Sequence, residues 1–320
     1  MSTTTELANG KAVRLAARRK KLTDQTSGLA PSYIQANLLV LPQRYADDFR
    51  LLCARNPVPC PLLAESVAPG NYKDLKSHMV GPTGTTLQVA EDMDLRHDFP
   101  AYRVYTDGKL TAGGDEGAAA AAVGKKTDIE AEWTAEHVGF LIGCSFSFEA
   151  ALAAAGLPPR HTLQGRNVPM YRTTVPLCSA GAFAGATMVV SMRPYRALSE
   201  VPRVRDITRR FGAMHGEPVA WGWDGARALG IRDVAEPEFG DAPLRADGSG
   251  EEPFGPPGEA AEEEEEEEDQ YVPVFWGCGV TPQEAVRQAR LRGTVMAHSP
   301  GCMVVLDLMD HEVFAGVGGV

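Results

Sequence analysis

The chain has no CxxC pair, no HxxxH spacing and no apolar run approaching the roughly 18 residues of a membrane span. The longest apolar stretches, such as Val138 to Ile142 and Met188 to Val190, suit buried strands instead. Six cysteines, Cys53, Cys60, Cys144, Cys178, Cys278 and Cys302, are scattered without a secretory pattern, so reduced thiols in the cytoplasm are expected and no zinc ribbon. A continuous basic stripe is also missing, which argues against nucleic acid as a partner. No membrane partner is expected either.

The 320 residues, 44% of them hydrophobic, are enough to bury a large core. The formal charge of −11 is concentrated: Glu259, Glu262 to Glu268 and Asp269 are nine of the 42 acids, and the other 33 nearly balance 31 bases. Composition over 242–271 predicts a disordered acidic insertion, and the Gly- and Ala-rich text at 111–127 predicts a low-complexity one. The basic opening, with Arg14, Arg18, Arg19, Lys20 and Lys21, reads as an amphipathic helix packed on the domain. A mitochondrial transit segment is the alternative, and with it a matrix location.

Along the chain, helices are expected at 45–55, 148–155 and 201–210, and strands at 102–110, 138–144, 187–192, 272–280 and 303–308. The Asp107-Gly108 turn would normally open a hairpin, but the glycine-rich insertion suggests that the returning strand is delayed. Thr281, Pro282 and Glu284 have the spacing of a capping box that starts a helix.

Candidate functional residues gather where strands end. The turn Gly143 to Ser147 joins a strand to a helix, and its backbone N–H groups with the Ser145 and Ser147 hydroxyls could hold a carboxylate. A cap without any substrate is the simpler alternative. Arg166, Arg172 and Arg193 adjoin prolines in ordered segments and offer forked, permanently charged donors for carboxylates. Asn167, Tyr171 and Thr173 could orient a ligand or merely satisfy the backbone. His215, in a glycine-bounded loop, is the candidate general acid or base, with His161 second. Cys144 and Cys278, each after a strand and beside glycine, are candidate nucleophiles, against the commoner case of inert buried thiols.

Several long words in this chain resemble the D-glutamate cyclase family of hydro-lyases: GLAPSYIQANLLVLP, RNPVPCPLL, LRHDFPAYRVY, FLIGCSFSFEAAL, GRNVPMYRTTVP, VVSMRP and VFWGCGVTPQEAV. The resemblance runs over residues 10–320 outside the two insertions. It implies an α/β with α+β fold of two domains: a layered α/β/α main domain, 10–145 with 272–320, and a smaller α+β domain, 146–241, inserted into it. It also implies dehydration of D-glutamate to 5-oxo-D-proline, a small carboxylate as partner and no organic cofactor; a divalent cation and homo-oligomerisation are left open. A hydrolase or hydro-lyase for another small carboxylate, or a carboxylate-binding protein without turnover, are the alternatives. The sequence departs from the family after Pro300-Gly301, where a histidine is expected and Cys302 stands, which puts activity in question if that histidine is catalytic.

Overall fold

The computed structural model describes residues 7–113, 124–245, 254–255 and 270–314. The alanine run at 118–122 and the acidic run at 259–269 lie outside the described residues.

The order of elements follows from one strand that is apolar on both faces. β1 (Tyr33–Pro42) is buried over nine of its ten residues, as a central strand must be. One edge of β1 pairs with β6 (His137–Gly143) from Ala36 to Pro42. Its other edge is shared in sequence by β12 (Val304–Met309), opposite Tyr33 to Ala36, and β11 (Thr294–His298), opposite Leu39 and Val40. The sheet continues through β2 (Leu62–Ser66) and β3 (Leu75–Ser77) beyond β6, and through β4 (Tyr102–Thr106) and β5 (Lys109–Ala112) beyond β11.

A second sheet has the order β7 (Met170–Pro176), β8 (Thr187–Arg196), β10 (Tyr271–Gly277), β9 (Ala220–Trp221). Every strand pair in both sheets is antiparallel. The architecture is therefore α+β, and among the described residues no parallel pair supports the expected α/β layering. Side chains of the two sheets share the same interior: Leu39, Phe140 and Ile142 of the first pack in one cluster with Tyr171, Val190 and Phe275 of the second.

Three local readings change. The hairpin is immediate, since Asp107 and Gly108 both adopt positive φ, the conformation a two-residue turn matching strand twist needs, and β5 starts at Lys109. Glycine is required there, as a Cβ on Gly108 would sit 2.6 Å from the Cα of Arg290. The helix Thr281–Ala289 is present, but Thr281 does not cap it. Its hydroxyl instead accepts from Val189 N at 3.0 Å and donates to Val189 O at 3.2 Å, pinning the helix to β8. Within the stretch expected to be disordered, Phe254 is buried and packs on Trp223 with ring centroids 5.4 Å apart.

The basic helix Gly10–Arg18 is built into the fold. Arg14 is fully buried and forks onto Asp307 at 2.9 and 2.8 Å, and Arg18 forks onto buried Asp98 at 2.7 and 2.9 Å. Such bidentate pairs are what allow guanidinium groups to leave water.

Candidate active site

Between the two sheets lies a buried ionic centre. Arg193 of β8 is 0% exposed and reaches Glu149 Oε1 with Nε at 3.1 Å and Nη2 at 2.5 Å. Nη1 donates to Ser191 Oγ at 3.2 Å and Nη2 to Ser145 Oγ at 3.1 Å, while the guanidinium lies over the rings of Phe148 and Trp276. Glu149 also faces His161 Nε2 at 3.2 Å and accepts from Ser27 and Thr162 hydroxyls. Burial alone would raise the Glu149 pKa, but the charges of His161 and Arg193 prevail and hold it at about 2.

Around this centre sit several of the expected site residues, in roles the sequence did not suggest. Cys144 and Cys278 share a small apolar cluster with Phe146, Val189 and Phe239. Burial pushes both thiols up, Cys278 to about 11, so the expected nucleophiles are held protonated. Ser147 Oγ accepts from Gln35 N at 2.9 Å, and Ser145 is spent on Arg193, so both hydroxyls lock the turn after β6 onto the protein. That turn is a short 3-10 segment, Ser145–Phe148, leading into a six-residue helix. Tyr171 is likewise committed, donating to Val234 O at 2.5 Å, and Thr173 donates to Met188 O at 2.7 Å.

His215 is buried with a left-handed φ of 78°, a strained backbone for any residue but glycine. Its Nδ1 lies 2.7 Å from Val58 O, and Nε2 lies by Gly143 without a well-formed hydrogen bond. Burial lowers its pKa to about 4 against the opposing pull of those two backbone groups, leaving a neutral ring at pH 7.

The three arginines expected to act together face three different places. Arg193 is interior. Arg166 donates to Ala242 O at 3.0 Å and lines, with Asn167, His161 and Asp241, a crevice of only about 10 Å³, barely one water. Asn167 is clamped there by Asp241 and Pro300 and sits on Gly301, where a Cβ would come within 2.5 Å of its Nδ2. Cys302 is buried in the adjoining turn, its N–H donating to Ser299 O at 2.9 Å.

Arg172 alone opens onto a cavity large enough for a small molecule. It measures about 350 Å³ and is lined by Arg103, Arg172, Phe239, Gln283, Glu284 and Arg287, among others. Arg103 of β4 and Arg172 of β7 both lie over the Phe239 ring, 5.8 and 4.9 Å from its centroid. With Lys109, the described lining carries four cations and one carboxylate, Glu284. Phe239 and Val280 of this lining belong to the apolar cluster that also holds Cys144 and Cys278.

Arg103, Gln283 and His298 escaped sequence reasoning. Arg103 stood in a quoted word, LRHDFPAYRVY, three residues after Pro100, so the proline cue applied to it as much as to Arg166 and Arg172, but its place within a strand drew it into the scaffold instead. Gln283 accepts from Tyr105 OH at 3.2 Å and donates to His298 O at 2.9 Å, tying the cavity wall to β11. His298 is fully buried where β11 leaves β1, and its Nδ1 accepts from Leu38 N at 3.1 Å. The same Nδ1 lies 3.2 Å from Leu38 O and 3.2 Å from Gln283 Nε2, and Nε2 has no hydrogen-bond partner among the described residues.

Among the described residues no group of three or more His, Cys, Asp or Glu could hold a metal ion. Asp92 and Asp94, spaced as D-x-D, are taken by Arg18 and Arg96. No helix of the described residues is long and apolar enough to cross a membrane.

Comparison with known proteins adds a family to this geometry. The D-glutamate cyclase family matches residues 138–307. A protein of Rubrobacter xylanophilus named "Putative hydro-lyase" is 44% identical over 297 residues, covering 92% of this chain and 94% of its own. Similarly named proteins of Schizosaccharomyces pombe and Azorhizobium caulinodans are 42% identical over 291 residues and 39% over 310. These cover 91% and 97% of this chain, and 81% and 95% of theirs. Identity at this level over nearly the whole length places the chain in the D-glutamate cyclase family.

Proposed function

We propose that this chain is a hydro-lyase for a small amino dicarboxylic acid, bound in the cavity between Arg103 and Arg172, and that its reaction is dehydration of D-glutamate to 5-oxo-D-proline. The observation that carries the reading is the convergence of Arg103, Lys109, Arg172 and Arg287 on an open space of about 350 Å³. A five-carbon diacid needs such a place, because a carboxylate leaves water only for charged, directional donors.

In the reaction the α-ammonium gives up two of its three protons, the nitrogen attacks the side-chain carboxylate carbon, and one oxygen of that carboxylate takes both protons and leaves as water. The carboxylate is a poor electrophile. Arg172 and Arg103 would offset its negative charge and hold the chain curled, so that amine and carbon meet. Phe239 supplies a flat apolar floor beneath both guanidinium groups.

Incubation of the purified chain with D-glutamate, with and without divalent cations, is expected to yield 5-oxo-D-proline on a chiral column. A complete lack of product under all conditions would remove the reaction. Binding without turnover is the second reading, and one observation favours it: the described lining of the cavity has no histidine and no thiol. Stabilisation by D-glutamate with no product would select it.

A further inference from the structure

We infer that Phe239 is a positioning residue: the face of its ring holds the Arg172 guanidinium ready for a ligand carboxylate, and the strap of residues 238–241 sets the ring there. The inference rests on the dicarboxylate reading of the cavity and adds to it how the arginine is oriented.

An arginine acts on a ligand through a long side chain that must give up rotamer freedom, so it grips best when something has already fixed its plane. The polar contacts of Arg172 do not fix it. Its Nε stands 3.1 Å from Glu284 Oε2, yet out of line for a hydrogen bond, and its side chain is one-third exposed. What the guanidinium does lie over is the Phe239 ring, with Cζ 4.9 Å from the centroid. At that distance the negative face of an aromatic ring attracts a cation.

The register of the chain puts the ring in this place. Met170 and Arg172 are two residues apart on β7 and so point to the same face. Phe239 is paired antiparallel with Met170, through Met170 N to Phe239 O at 2.9 Å and Phe239 N to Met170 O at 3.2 Å. Paired residues share a face, so the ring falls diagonally beside Arg172. The flanking residues pin the same strap to β7 and the segment before it: Arg172 N donates to Glu238 Oε2 at 3.0 Å, and Asn167 N to Asp241 Oδ2 at 2.7 Å. Gly240 permits the close approach, with a φ of 78° and room for no Cβ, which would stand 2.0 Å from Val168 O. Arg172 is thus held at its backbone by Glu238 and at its guanidinium by the next residue along.

The ring is itself fixed. Phe239 is 7% exposed and packs in one cluster with Met170, Val189 and Val280. A buried ring beneath a partly exposed guanidinium supports the cation and leaves it within reach of a ligand. Without the face of the ring, the guanidinium is free to turn onto Glu284 as an aligned pair, which competes with any incoming carboxylate.

Isothermal titration of the full chain with D-glutamate tests this through a double-substitution cycle. Phe239→Leu keeps an apolar side chain and removes the aromatic face; it is expected to weaken binding about five- to tenfold, whereas Phe239→Tyr is expected to stay within about twofold of the unaltered protein. In an Arg172→Met background, Phe239→Leu is expected to bring no further loss, because the ring acts through the guanidinium. Losses that add in the double variant, unchanged affinity in Phe239→Leu, or a loss in Phe239→Tyr as large as in Phe239→Leu overturns the positioning role and leaves the dicarboxylate cavity standing. If the unaltered protein does not bind D-glutamate, the cavity reading fails and the inference fails with it. Should Phe239→Leu not fold, Phe239→Met takes its place in the cycle.

Discussion

Two arginine–glutamate pairs, one interior and one at the edge of a cavity, do opposite things. Arg193 and Glu149 meet through two aligned bonds in a site closed to water, with serine, threonine and histidine partners filling the remaining positions. Arg172 and Glu284 meet through one misaligned contact at the edge of a cavity. The first is a completed structure that ties β8 to the turn and helix after β6. The second has unused directional capacity, which is what a ligand site needs. The difference shows that residue type and pairing distance do not separate scaffold from site; alignment and access do.

Breaking the inner pair gives the largest expected effect. Arg193→Met strands Glu149 in the interior, and chemical denaturation should show a loss of about 3–5 kcal/mol. The same change at the outer pair, Arg172→Met, should cost the fold only about 1 kcal/mol or less, since the side chain is partly exposed. If Arg172→Met is the more destabilising of the two, the comparison is inverted.

The next effect is the acid response of the interior. His215 and His298 both have pKa values lowered to about 4 by burial, below the unfolded value of about 6.5. The unfolded chain therefore binds more protons between these limits, and stability is full above pH 6.5 and falls as pH drops towards 4. Each ring accounts for about 3 kcal/mol over that window. His298→Gln should flatten this slope measurably in denaturation curves taken from pH 7 to 5; an unchanged slope would mean the ring is charged or exposed. Glu149 adds a further loss only at lower pH, from the ordinary carboxylate range down to about 2.

At the outer pair the readout is ligand, and the change is smaller in free energy. Arg172→Met is expected to weaken binding of D-glutamate by about tenfold or more, the loss of one charge-assisted contact of about 1.5–3 kcal/mol. Arg166→Met, on the closed crevice, should leave that binding within about twofold. Equal losses in both would place the substrate elsewhere.

Much of the secondary structure was legible because it follows local rules. The strand at β6 and the helix ended by Gly156 depend on apolar runs and glycine conformations within a few residues, whereas at Asp107-Gly108 the turn was legible but the immediate return of β5 was not. Thr281 shows where local reading stops: its spacing fits a cap, but a backbone 92 residues away competes for the hydroxyl and wins. The same limit governed the arginines. Proline neighbours marked ordered segments correctly, yet alternation of side chains along β7 and β8, and the packing of one sheet on another, decide which guanidinium is buried and which meets solvent.

The amino-acid order by itself determined the family, the buried strand β6 and the separate acidic run, and it offered a pool of candidate residues for a small diacid. Tertiary structure alone decided which of them has a cavity to work in. Reading a pattern needs only neighbours in sequence, whereas the ionisation of Glu149, the silence of Cys144 and Cys278 and the open side of Arg172 arise from groups that meet only after folding has removed water from some and left it to others.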